Sequence, residues 1–101
     1  MKTSILNRYD QEVKITGQKL IVYNAMQRRH SARVGTRDGR VEIYPGWWTR
    51  VEVGVVVNDP IITISDPDRR LRELEKDGIL EKMVVPDTWP SRTLYRIWRA
   101  K

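Results

Sequence analysis

The chain has 101 residues, 40% of them hydrophobic, and carries 19 Lys and Arg against 13 Asp and Glu, for a net charge of +6. That length suits one domain with a single core, near the lower end for independent stability, and the absence of cysteine excludes disulfides, thiolate metal sites and a cysteine nucleophile. Arginine outnumbers lysine, and its planar fork fits phosphate, so the charge favours a polyanionic partner over a merely solvated basic surface.

At the N-terminus, M-K-T-S-I-L has an apolar run of only two residues, too short for a secretory signal. No segment approaches the roughly 20 apolar residues that span a bilayer, so a soluble, cytoplasmic protein with no membrane partner is expected. Residues 1–15 read as an arm or short strand, Val13 and Ile15 alternating with Glu12 and Lys14. Thr16 can cap a helix from about Gln18 to Arg29, whose buried stripe is Ile21, Val22, Ala25 and Met26. Arg28, Arg29 and His30 fall at its end, where cations either complement the helix dipole or reach phosphate.

Asp38-Gly39, ahead of the alternating Val41 and Ile43, predicts a β-hairpin near residues 32–44. Pro45-Gly46 then breaks the chain before Trp47-Trp48. Such a pair can stack on nucleotide bases, but more often it anchors a loop to the core or forms a subunit contact. In Thr49-Arg50-Val51-Glu52, Glu52 stands three residues after a capping threonine, which favours a helix over Arg50 to Val57. The β-branched run Val51, Val53, Val55, Val56, Val57 favours a strand. Both remain open on these residues alone.

The next segment, S-D-P-D-R-R-L-R-E-L-E-K-D-G-I-L from Ser65 to Leu80, contains a whole helix with its signals. Ser65 or Asp66 can cap it, Pro67 fits the first helical position, and Gly78 can end it in a left-handed conformation. At about 100° per residue, Leu71 and Leu74 lie together, Arg69, Arg72 and Lys76 lie opposite, and Arg70 sits on the flank. Two β-prone segments follow, E-K-M-V-V-P and R-T-L-Y-R-I-W, around a turn candidate at D-T-W-P-S.

A basic helix of the form R-x-L-x-x-L-x-x-x-G-I running into a hairpin resembles the recognition helix and wing of the winged helix-turn-helix family, in its phage or mobile-element form. The likeness covers roughly the last 40 residues well and the rest loosely. It implies a single α+β winged-helix domain over residues 1–101, with about three helices and a C-terminal wing, residues 65–98 forming recognition helix and wing. It favours a short helix over residues 50–57 and makes N-D-P-I-I-T-I an unusually long turn. The hairpin near residues 32–44 departs from the family pattern as an insertion.

The function implied is binding of double-stranded DNA by a small transcriptional regulator or accessory factor. Arg69, Arg70, Arg72 and Lys76 would enter the major groove, Lys82 and Arg92 would lie near the wing tip, and Arg28 and Arg29 would add phosphate contacts. Arg96, Arg99 and Lys101 follow on the outgoing strand and tail. Against this, Arg69 could pair with Glu73 and Arg72 with Glu75 along a solvated helix, while Asp66 and Asp68 repel phosphate. These acids, with Trp47, Trp48, Trp89 and Trp98 as interface residues, favour an alternative, a phage-type inhibitor that binds a host nucleic-acid enzyme on a winged-helix scaffold. Leu94, Arg96 and Trp98 share one face of the last strand and Tyr95 and Ile97 the other, so that strand is expected to be covered on both sides or to form a homodimer contact. His30 has no carboxylate at helical spacing, and no nucleophile motif, phosphate loop or metal-ligand spacing occurs, so no enzyme, cofactor or metal is expected.

Overall fold

The computed structural model describes residues 3–57, 66–86 and 92–99. Within them the order is β1 (Thr3–Leu6), β2 (Glu12–Ile15), α1 (Gly17–Ala25), β3 (Ser31–Gly35), β4 (Val41–Pro45), β5 (Trp48–Thr49), α2 (Arg50–Val57), α3 (Pro67–Lys76), β6 (Leu80–Val85) and β7 (Arg92–Ile97). All strand pairs are antiparallel: β1 with β2, β3 with β4, and a three-stranded sheet in the order β5-β7-β6. The chain is therefore a small α+β protein.

The N-terminal residues form a hairpin rather than a free arm. Asn7, only 1% exposed, shapes its turn by accepting the Tyr9 and Gln11 N–H groups at 2.9 and 2.8 Å, and it donates to the Asp77 carbonyl at 2.7 Å. Arg8 adds an ion pair to Glu75 at 3.4 Å and a bond to the Leu80 carbonyl at 3.1 Å. The turn thus caps the C-terminal end of α3, where orphan carbonyls need donors. Gly78 closes that end at φ +81°, and the Tyr9 ring lies 2.9 Å from where its Cβ would stand.

Helix α1 is shorter than its composition suggests. It ends at Ala25 with Met26 as C-cap, so Gln27–His30 lie beyond it, and Arg28 and Arg29 are not in its last turn. The dipole account of these cations therefore falls. Thr16 precedes the helix with extended backbone, but its hydroxyl makes no cap bond. Leu20, Val22, Ala25 and Met26 are buried, with Ile21 half-buried beside them.

Residues 50–57 are helical. Thr49 Oγ1 accepts the Glu52 N–H at 3.1 Å and Glu52 Oε1 accepts the Thr49 N–H at 2.9 Å, a reciprocal capping box. Val53 and Val57 enter the core while Val51 and Val55 face outward, so the β-branched run becomes an amphipathic helix once α1 and α3 pack against it. In α3, Asp66 is the cap, accepting the Arg69 N–H at 3.1 Å, with Pro67 at the first position, and Leu71 and Leu74 are fully buried. Ser65 and the expected turn N-D-P-I-I-T-I lie outside the described residues, as does the turn D-T-W-P-S.

The β3–β4 hairpin turns over Asp38-Gly39 as expected, with Gly39 at φ +86° and Thr36 N–H bonded to the Arg40 carbonyl at 2.8 Å. It is not an appendage. Ala32 and Val34 form a second cluster with Val85 and Leu94, covering the face of the sheet that points away from the helices. Trp48 and Tyr95, opposite each other across β5 and β7, join the main core on the other face. Strand β7 is thus central and covered on both faces by its own chain.

Candidate nucleic-acid interface

Helix α3 presents a sharply two-sided surface because its leucines recur at i and i+3 and its charges fill the remaining positions. Arg69, Arg72 and Lys76 are exposed, while Arg70 is half-buried and paired with Glu73 at 2.9 Å. The ion pairs differ from the expected Arg69–Glu73 and Arg72–Glu75. Arg72 instead approaches Asp68 at 3.9 Å, Arg50 approaches the same carboxylate at 3.7 Å, Glu75 takes Arg8, and Asp77 takes Lys19 at 3.1 Å. Among the described residues Arg69 and Lys76 form no ion pair. Arg70 lines a separate hollow with Lys14 and Lys19 beside the start of α1, so it does not join Arg72.

Between α3 and the sheet lies a cleft of about 290 Å³ lined by Arg50, Asp68, Arg72, Arg92, Thr93 and Tyr95. Arg50 and Arg72 both approach the one carboxylate there, leaving a surplus of positive charge, and Arg92 lines the same cleft. At its wall, burial first, and then the charges of Asp68 and Glu75, hold the Tyr95 phenol above its ordinary value of 10.0. A neutral hydroxyl beside guanidinium groups suits an anionic oxygen. Arg50 entered this cleft unannounced; its place right after Thr49, at the start of a capped helix, was the available signal.

Lys82 is not near the hairpin tip. It stands opposite Tyr95 in the middle of the β6–β7 pair, exposed and on the same face as Thr93 and Tyr95. Register decides this, because Arg92 pairs with Val85 and so marks the distal end. Arg28 and Arg29 are exposed but lie away from the cleft, in an open groove of about 1060 Å³ shared with Trp98 and Arg99. The cations expected to act together therefore divide among three places: the cleft, the groove and the hollow that holds Arg70.

The tryptophans divide as well. Trp48 is 3% exposed and stacks on His30, ring centroids 3.7 Å apart at 15°. Trp47 is half-buried against the second cluster, with the Arg96 guanidinium 4.3 Å above its ring. The adjacent pair anchors its loop on both sides of the sheet, the commoner of the two roles open to it. Trp98 is half-buried in the groove, and Trp89 lies outside the described residues, as does Lys101.

One residue ties these parts together. Glu52 accepts the Thr49 N–H, the Arg33 N–H at 3.1 Å, and faces His30 Nε2 at 3.1 Å. Burial pushes its carboxyl up, and the donors from Thr49, His30 and Arg33 more than reverse this, holding it below the ordinary range. It therefore locks α2 onto the base of β3 as a carboxylate. Among the described residues no His, Asp and Glu group large enough to hold a metal occurs, and no helix is long and apolar enough to cross a membrane. No protein-family model, curated protein or solved structure matches the chain.

Proposed function

We propose that the chain is a winged-helix protein that binds double-stranded DNA, with α3 in the major groove and the β6–β7 hairpin on the adjacent backbone, serving as a small transcriptional regulator or accessory factor. What supports the fold assignment is the arrangement of three mutually packed helices against a sheet in which β5, just before α2, pairs with β7, and β7 pairs in turn with β6, the strand that follows α3. The inserted β3–β4 hairpin fits the same plan, since it covers only the face of the sheet away from the helices.

The observation that carries the function is the cleft between α3 and the wing. Arg50, Arg72 and Arg92 line it from three different elements, and Arg69 and Lys76 extend the positive charge along the exposed side of α3. A duplex laid against this side meets cations from helix and wing at once, the geometry that phosphates on both sides of a groove require. Asp68 counts against phosphate, but its charge is already engaged by Arg50 and Arg72.

Selection from a random duplex pool tests the proposal. Enrichment of a preferred sequence is expected, with Arg69→Ala and Arg72→Ala each weakening binding to it by about 1–3 kcal/mol. Failure to enrich any duplex would remove the groove-reading role of α3.

A further inference from the structure

A second concavity, the open groove of about 1060 Å³, is separate from the α3–wing cleft. It lies where β7 leaves the sheet, bounded by the loop after α1 and the base of the β3–β4 hairpin, and shares no residue with the α3–wing cleft. Its walls carry Arg28, Arg29, Arg96 and Arg99 together with the rings of His30 and Trp98. Among the described residues Glu81 is the one carboxylate on the wall, and it is already bound by Arg96 at 2.6 Å. Arg28, Arg29 and Arg99 are exposed and form no ion pair among the described residues. On α3, by contrast, Arg70 and Arg72 both face acids.

Uncompensated guanidinium groups on a concave wall call for a polyanion. The rings narrow the class. In a duplex the faces of the bases are stacked on one another and cannot reach a side chain within a groove, whereas an unpaired strand offers both phosphates and open base faces. His30 is already held flat against Trp48, so its ring need not be ordered at the moment of binding, and the backbone N–H of Trp98, bonded to the Ile79 carbonyl at 2.9 Å, fixes the main chain from which the half-buried indole projects.

We propose that this groove binds single-stranded nucleic acid, with phosphates on Arg28, Arg29 and Arg99 and a base against Trp98, as a second site separate from the duplex surface. The protein would then hold a duplex and an unpaired strand together, as at a melted or junction region. The site stands independently of the role of α3.

The test is anisotropy titration of the full chain with labelled twelve-residue oligo-dT and oligo-U, with an abasic strand of equal charge, and with a poly-glutamate peptide. Arg28→Ala with Arg29→Ala, both on exposed side chains, should weaken single-strand binding about tenfold or more and leave duplex affinity within about twofold. Arg72→Ala should do the reverse. The abasic strand should bind at least about fivefold more weakly than oligo-dT, a gap that Trp98→Leu closes. Oligo-dU, which differs from oligo-U only in the sugar, is titrated beside it, and whichever of the two binds more tightly identifies the preferred sugar. Loss of single-strand and duplex binding in parallel in both sets of variants would overturn the second site. So would equal binding of oligo-dT and its abasic counterpart, or a peptide affinity matching that of the oligonucleotides.

Discussion

Glu52→Ala should destabilise the fold far more than its half-exposed position implies. The carboxylate accepts the Thr49 N–H at 2.9 Å, and Thr49 is only 8% exposed, so its amide loses its partner where water replaces it poorly. Leaving such a donor unsatisfied costs about 1–3 kcal/mol, and the Arg33 N–H and His30 contacts, both nearer solvent, add about 0.5–1 kcal/mol each. The expected loss is about 2–5 kcal/mol, or a fall in Tm of at least roughly 8 °C for a domain of this size. Glu52→Gln keeps one acceptor oxygen and should lose about half as much. Because the folded state holds this carboxyl below its ordinary value of 4.5, the contribution of the charge is fully present above about pH 5. It fades as acid protonates the group, so the gap between wild type and Glu52→Gln should narrow toward pH 3. Thermal unfolding of the three proteins across that range is the assay. A Tm within about 2 °C of wild type for Glu52→Ala, or a gap constant from neutral pH to pH 3, would refute the role given to this residue.

Leu74→Ala, at a fully buried position, should cost about 2–5 kcal/mol in urea unfolding, whereas Arg72→Ala, whose side chain is 64% exposed, should cost under about 0.5 kcal/mol. Equal losses would reverse the faces of α3. Asn7→Ala, which strips two acceptor bonds from the first turn and one donor from the end of α3, should cost about 2–4 kcal/mol by the same assay. Gly78→Ala should cost about 1–2 kcal/mol from its positive φ. The exposed Tyr9 ring can swing aside, so adding Tyr9→Ala should recover little of that loss; full recovery would show that the ring, not the backbone, sets the penalty.

What the sequence reveals of this fold is what is settled within a few residues. Helix α3 is legible because its cap, proline, leucine spacing and terminal glycine agree with one another. The hairpin over Asp38-Gly39 is legible for the same reason. Residues 50–57 are ambiguous in isolation, since the capping box and the valines oppose each other; the helix wins because α1 and α3 bury Val53 and Val57. Strand β5 could not be read at all. Its two residues owe their conformation to β7, more than forty positions later. The overrun of α1 has a similar source: Gln27–His30 include good helix formers, but the His30 carbonyl accepts the Gly46 N–H at 2.8 Å and its ring stacks on Trp48, drawing the chain into β3. The cations on α3 were identifiable from periodicity. The separation of Arg28 and Arg29 from them, and the arrival of Arg50 beside Asp68, depend on how distant elements pack.

The central claim, that α3 and the wing enter duplex DNA together, is tested most directly by the salt dependence of binding to a selected duplex. Arg50, Arg72, Arg92 and Lys82 line or flank the cleft, and with Lys76 they allow about four or five phosphate contacts, each giving a log–log slope near −0.9. Affinity should therefore fall roughly a hundredfold to a thousandfold between about 50 and 200 mM salt. Arg50→Ala and Lys82→Ala should each make the slope shallower by about 1 without changing which duplex is preferred. A wild-type slope shallower than about −2, or one that neither substitution alters, would contradict a duplex seated between α3 and the wing.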